Sequence, residues 1–434
     1  MDQLCRGDQL LAGQSGTFYG WRVVGAAFML AIFGWGFGFY GPPIFLHAVQ
    51  DTRGWPLAII SGAVTVHFLF GAIVVANLPR LYRQFGIPAV TKAGSVALAL
   101  GVVGWALARE PWQLYIAAVL GGGGWVTMSA AALNAIVSPW FVRTRPAALA
   151  SAYNGSSVGG VVFSPLWVAA IGFVGFPLAA TILGLLMVAA TWIMADRYFA
   201  RTPEQLGLNP DGDSERPTPA TASPSPGGAH PGSRLWSDVR FITLAAGMAL
   251  GLFAQIGLVA QLFSLLVPPL GAQFAGLAMG AATASAVAGR TVAVWLMPHG
   301  KSRRLLACAN YAVQIAGSVA FLLAAGDNIP LLLLGTILFG AGIGNANSLP
   351  PLIAQAEFAE ADVSRVVSLI VAISQATYAF APAIFGLILQ FAPHVGADAA
   401  GAAPAIFIAA AVLQGLAIVS FLIGRASWPA RCDG

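Results

Sequence analysis

The chain has 434 residues, of which 58% are hydrophobic and only 9% are charged, where an ordinary soluble domain carries roughly 25% charged residues. So few charges cannot cover a soluble surface, which excludes a cytosolic globular enzyme. The net charge of +5 comes from basic residues set in ones and twos between apolar runs, a pattern that fits membrane topology and argues against nucleic acid as a partner.

Residues 1–19 are polar, carry Asp2 and Asp8, and read as a cytoplasmic tail without the apolar core of a signal peptide. Apolar stretches then predict helices at 20–49, 57–82, 88–108, 111–138, 146–172 and 176–196. A second set follows at 240–267, 272–297, 302–325, 329–356, 363–391 and 403–424. Each is long enough to cross about 30 Å of hydrocarbon. Between the sets, residues 197–239 read as a cytoplasmic linker; its stretch 201–235 is rich in Pro, Ser, Gly and charge and predicts a flexible connection. Residues 425–434 form a second cytoplasmic tail. The expected fold is an all-α membrane protein of 12 transmembrane helices, in six-helix bundles at 20–196 and 240–424.

Eighteen of the 21 Lys and Arg residues fall on the side of the termini and linker, and only Arg53 and Arg109 on the other. By the positive-inside rule both termini are cytoplasmic, and the Ala- and Gly-rich composition suits a prokaryotic inner membrane. A shift of 217 residues sets Phe141 on Phe358, Ile136 on Ile353 and Pro165 on Pro382. This predicts duplicated halves related by an axis along the membrane normal. Cys5, Cys308 and Cys432 form no CxxC pair, so neither a disulfide framework nor a metal site is expected. No cofactor motif is evident either: Gly300-Lys301-Ser302 has Trp295 where a phosphate loop needs its first Gly.

The one remaining cation, Arg290, lies inside the eighth helix. A guanidinium there costs roughly 2.5–3.5 kcal/mol on insertion scales and faces a cavity or a partner. The spans hold almost no carboxylate: Glu357 ends the tenth helix and Asp196 the sixth. Arg290 therefore suits an anionic ligand, whose carboxylate its fork matches; a snorkelling, structural arginine is the competing reading. His67, in the second helix, is expected as a substrate ligand or a proton site, against the alternative of a packing histidine. His47 is interfacial. Gly155-x-x-x-Gly159 and Gly340-x-x-x-Gly344 permit close helix approach. Pro42-Pro43, Pro165, Pro268-Pro269, Pro350-Pro351 and Pro382 are expected to kink or end helices.

Several stretches resemble the major facilitator superfamily, and within it the monocarboxylate-transporter and oxalate/formate-antiporter-like group. They are FYGWRVVGAAFML at 18–30, PWFVRTRPAALASAYNGSSVGG at 139–160, ARTPEQLGLNPDG at 200–212 and AVAGRTVAVWLMP at 286–298. The chain departs from the superfamily's Gly-x-x-x-Asp-Arg-x-Gly loop at 79–86, where Arg83 replaces the acid. Tyr40 lies near the position of the first-helix Lys of animal-type monocarboxylate transporters, and Ala286 takes the place of their eighth-helix Asp. The resemblance implies two halves moving by alternating access, a monomer, and central helices one, five and eleven. Among the polar residues of the spans, those helices carry Tyr40, Asn154 and Tyr378. Asn134, Tyr153, Gln255, Gln261, Gln314, Asn345, Asn347 and Gln375 are expected mainly as interhelical hydrogen-bonding groups.

Together these readings predict a secondary active or facilitative transporter of a small organic anion, a monocarboxylate, with Arg290 on its carboxylate. His67, Tyr40, Asn154 and Tyr378 supply hydrogen bonds, and a proton or counter-anion is the candidate co-substrate. The alternative within transport is an efflux pump for amphipathic drugs. An intramembrane enzyme would need a nucleophile–base pair or a metal set that the spans lack.

Overall fold

A backbone in hydrocarbon must satisfy its own polar groups, so it forms helices. The structure, a computed structural model, describes residues 18–213, 235–295, 303–346, 349–358, 360–391 and 404–426, and all regular elements among them are helical. They group into twelve crossings. The first six are α1 (Tyr19–Arg53), α2 (Leu57–Phe85), α3 (Ile87–Leu107), α4 (Pro111–Trp140), α5 (Arg145–Val174) and α6 (Phe176–Phe199). The last six are α7 (Val239–Leu270), α8 (Ala272–Trp295), α9 (Arg303–Ala324), α10 (Ile329–Ala346), α11 (Glu360–Tyr378 and Ala381–Phe391) and α12 (Pro404–Ala426). A short helix, Leu349–Glu357, follows α10. Eleven of these helices are long and apolar enough to cross a membrane; α8, with its small residues and Arg290, is 24 residues long.

Helices α1 and α5, α3 and α4, and α3 and α6 pack within the first set; α8 and α10, α9 and α10, and α7 and α12 pack within the last. The two sets meet where α5 lies on α8, α2 on the second part of α11, and α7 on the second part of α1. Buried amides join the last six: Gln314 Nε2 donates to Gln255 Oε1 at 3.4 Å, and Gln414 Nε2 to Gln314 Oε1 at 2.8 Å. Large apolar side chains such as Phe173, Leu185 and Leu323 stand outward, 88%, 66% and 66% exposed, as a lipid-facing surface requires.

Two expectations change. Pro165 does not end α5, which runs unbroken for 30 residues; a helix tolerates proline in a membrane when neighbours close over the freed carbonyl. The Gly-x-x-x-Gly pairs do allow close helix approach, inside each set: a Cβ on Gly155 would lie 2.1 Å from Phe28 O in α1. The linker does not start as a loose segment. Residues 204–213 form two 3-10 turns against the first six helices, where Asp211 accepts backbone N–H groups of Val142, Arg143 and Thr144 at 2.8–3.1 Å. Those three donors precede the first turn of α5 and form a natural anion nest. The Thr144 hydroxyl donates to the same carboxylate. Desolvation pushes the Asp211 carboxyl up, but these four hydrogen bonds outweigh it and hold it at about 2. The expectations for Cys5, Cys432, Lys301, Asn347, the linker from 214 to 234 and most of both tails lie outside the described residues.

Candidate functional site

The site begins with a break in α1. Pro42 and Pro43 have no N–H to give to Gly38 and Phe39 one turn back, and the helix stops at Gly38 and restarts at Gly41. The backbone N–H groups of Phe39 and Tyr40 both turn to Trp35 O, at 3.1 and 2.9 Å. Side chains supply donors to two of the carbonyls at the break. Trp167 Nε1 of α5 donates to Gly36 O at 3.1 Å, and His67 Nε2 of α2 donates to Gly38 O at 3.0 Å. His67 is buried, lies stacked on Trp125 of α4 at 5.8 Å, and turns Nδ1 toward Gly121.

The break delivers Tyr40 to the seam between the two sets. Its ring lies against Gly160 of α5, and its hydroxyl faces the Thr283 side chain of α8 with the Arg290 guanidinium in electrostatic range. Thr283 and Arg290 are seven residues apart and so share one face of α8. Helical side chains lean toward the helix N-terminus, which for α8 points Arg290 inward from the linker side. Its Nε donates to Gly344 O of α10 at 3.1 Å. That bond needs a close approach: a Cβ on Gly344 would lie 2.1 Å from Ala286 O. Alongside it, Asn345 Nδ2 donates to Gly289 O at 3.2 Å.

The two terminal nitrogens of Arg290 have no hydrogen-bond partner among the described residues, and none of the ion pairs there involves it. The two carboxylates that the sequence places at span ends pair with other bases. Asp196 pairs with Lys92. Glu357 grips Arg304 bidentately, at 2.7 Å from each oxygen, and Arg304 also donates to Thr243 Oγ1 and Arg240 O.

Asn154 is exposed. Along the α5–α8 seam, Gly276 meets Val168, Gly280 meets Val161 and Thr283 meets Gly160. The same antiparallel register, continued toward the linker side, sets Asn154 opposite Arg290. Tyr378 ends the first part of α11, edge-on to Phe68 at 6.1 Å. Phe68 in turn meets Phe39 at 6.3 Å, so an aromatic chain runs from Tyr40 to Tyr378 across the two sets.

Away from the linker the sets are sealed. Gln261 Nε2 of α7 donates to Ser61 Oγ of α2 at 3.1 Å and to Pro382 O at 3.3 Å. Ala383 N–H donates to Thr65 Oγ1 at 3.1 Å, Ala58 N–H to Gln390 Oε1 at 2.9 Å, and His47 stands edge-on to Phe263. The Tyr40–Thr283 contact crosses the same seam nearer its centre. Next to the seal, Phe39, Phe68, Ile256 and Val259 line a cavity of about 10 Å³, no larger than one water. Sequence reasoning marked Gln261 as an interhelical hydrogen-bonding group but singled out neither Thr283 nor its partners Ser61 and Thr65. Thr283 carries a legible signal in its seven-residue spacing from Arg290; Ser61 and Thr65 carry none.

Two six-helix sets packed around a polar centre that holds Tyr40, Thr283 and Arg290 make up a polytopic helical membrane protein. The Major Facilitator Superfamily model matches residues 26–382, and the chain belongs to that superfamily. A curated relative, the MFS transporter asaE of Aspergillus flavus, is 29% identical over 214 residues, 47% of each protein. The chain thus spans about half the length of the curated relative it matches. Among solved structures, a bacterial homolog of the human lysosomal transporter Spinster, in an inward-facing and occupied conformation, superposes with a TM-score of 0.67 at 14% identity, over 95% of this chain and 98% of that one. The nucleoside transporter NupG gives 0.68 at 13% identity, over 95% and 100%. At such identities the likeness is one of fold.

Proposed function

We propose that this transporter carries a small organic anion, a monocarboxylate, by alternating access, with the substrate carboxylate on Nη1 and Nη2 of Arg290. The observation that carries this reading is a guanidinium inside a helix that, among the described residues, is held through Nε and pairs with no carboxylate. A bidentate carboxylate completes its hydrogen bonding, and a single cation suits a single negative charge. Tyr40, Asn154 and Tyr378 surround the anion, and Thr283 orients the Tyr40 hydroxyl. His67 acts through Gly38 by holding the break that presents Tyr40, and it is the candidate proton site. In this reading the chain is a monomer in a prokaryotic inner membrane, with both termini cytoplasmic, supported by the distribution of its basic residues. The open side then faces the cytoplasm.

The test is counterflow of labelled small monocarboxylates in proteoliposomes over a pH series, for wild type, Arg290→Gln and Arg290→Lys. Saturable uptake in wild type is expected, with half-saturation raised by more than about tenfold in Arg290→Gln and by less in Arg290→Lys. Uptake that rises on acidification and loses that dependence in His67→Gln adds a co-transported proton. Arg290→Gln protein that folds and transports as well as wild type makes the guanidinium structural and leaves drug export as the better reading. A labelled nucleoside belongs in the panel, since one structural neighbour is a nucleoside transporter.

A further inference from the structure

The linker-side rim of the first six helices holds a feature that the central site does not use. The last turn of α6, Ala195–Phe199, is π-helical, a distortion found mostly at functional places. It brings Tyr198, Phe199, Arg201 and Thr202 to one wall of a crevice whose other side is formed by Ile87 and Trp140, at the start of α3 and the end of α4. At this rim the Tyr19 hydroxyl donates to Arg197 O at 2.9 Å, and its ring packs on Trp140 at 5.2 Å and Tyr198 at 6.4 Å. Arg201, Arg22 and Arg197 lie within electrostatic range of that hydroxyl. All three are exposed, and none forms an ion pair among the described residues. The acid of the same turn, Asp196, is neutralised by Lys92, whose ammonium also lies 5.4 Å over the Trp192 ring.

The level of the membrane at this place is readable. Trp192 and Ile193 face outward on α6, 44% and 63% exposed, so the apolar surface runs up to the crevice. The Lys92–Trp192 pair marks where hydrocarbon gives way to headgroups. Three unpaired guanidiniums sit about a turn beyond that level, beside an apolar slot of about 40 Å³. We propose that this crevice binds the phosphodiester of an anionic phospholipid, held by Arg22, Arg197 and Arg201, with an acyl chain along the outer face of α3 and α6. Lysines and arginines at the headgroup level attract anionic lipid, arginine matches a phosphate oxygen pair, and the crevice adds an apolar wall that a free phosphate does not need.

Native mass spectrometry of the full chain in detergent, with added phosphatidylglycerol or phosphatidylcholine of the same acyl chains, tests it. Retention of phosphatidylglycerol roughly tenfold or more above phosphatidylcholine is expected. The triple variant Arg22→Gln, Arg197→Gln, Arg201→Gln should lose that preference. The control Arg80→Gln, Arg83→Gln, Arg365→Gln, which removes equal charge elsewhere on the linker side, should keep it. Equal retention of the two lipids, or equal loss in the control, overturns the site. Displacement of phosphatidylglycerol by excess inorganic phosphate makes soluble phosphate the ligand and overturns the lipid assignment. Should the triple variant fail to fold, Arg22→Gln and Arg201→Gln alone are each expected to cut retention several-fold, and unchanged retention in both overturns the site equally.

Discussion

In the proposed cycle the empty carrier closes its linker side over a guanidinium that holds only Gly344 O, and the loaded carrier does so with the substrate carboxylate on the other two nitrogens. An arginine at a helix centre costs roughly 2.5–3.5 kcal/mol. Arg290 lies off-centre, five residues before the end of α8, and keeps its Nε bond, so about 2 kcal/mol is the working figure, or roughly thirtyfold in rate. Wild-type exchange, with substrate on both sides of a proteoliposome, should therefore outrun net efflux into substrate-free buffer by roughly thirtyfold. Arg290→Gln removes the charge that the empty form must bury, and the gap should shrink to within about threefold. The same change removes charge-assisted hydrogen bonds of about 1.5–3 kcal/mol each, so half-saturation should rise by more than about tenfold. Both rates come from one preparation, by filtering vesicles loaded with labelled monocarboxylate. A wild-type ratio near one, or an Arg290→Gln protein that keeps the wild-type ratio, refutes the reasoning.

Three other outcomes follow from the packing. Glu357→Gln strands a side chain, Arg304, that is fully buried; thermal unfolding should show a loss of about 3–5 kcal/mol, whereas Glu357→Leu combined with Arg304→Met should recover most of it. His67→Phe leaves Gly38 O without its donor and should cost about 1–3 kcal/mol of stability; it should also lower substrate affinity, because Tyr40 lies two residues from that carbonyl. Asp211→Asn should weaken the start of α5 by about 1–2 kcal/mol at neutral pH. The sign of the pH effect follows from the lowered carboxyl, about 2 against the ordinary 3.8: its contribution is complete above pH 3.8 and fades as pH falls toward 2. Denaturant midpoints of wild type should drop across that window more than those of Asp211→Asn.

Composition alone fixed the membrane class, because 9% charge cannot hydrate a 434-residue surface; the apolar runs marked the crossings within a few residues of their ends, except the tenth, read as 329–356, which stops at Ala346 before a separate short helix. Arg290 was visible for the same reason: one guanidinium in an apolar run stands out whatever it touches. Pro42-Pro43 also announced the break in α1, since missing N–H groups are a covalent property. What surrounds these residues was not legible. Gly344 O is 54 residues from Arg290, and it meets Nε only because α8 and α10 approach at glycines. Glu357 was read as a stray acid at a helix end; folding sets it on Arg304, which leaves Arg290 without a protein anion. The stretch 204–213 has the composition of a loose linker, yet Asp211 finds three backbone donors 67–69 residues away. Periodicity along one chain records which residues avoid water and which cannot continue a helix. Pairing across helices depends on register and approach distance, and those are set when all twelve pack together.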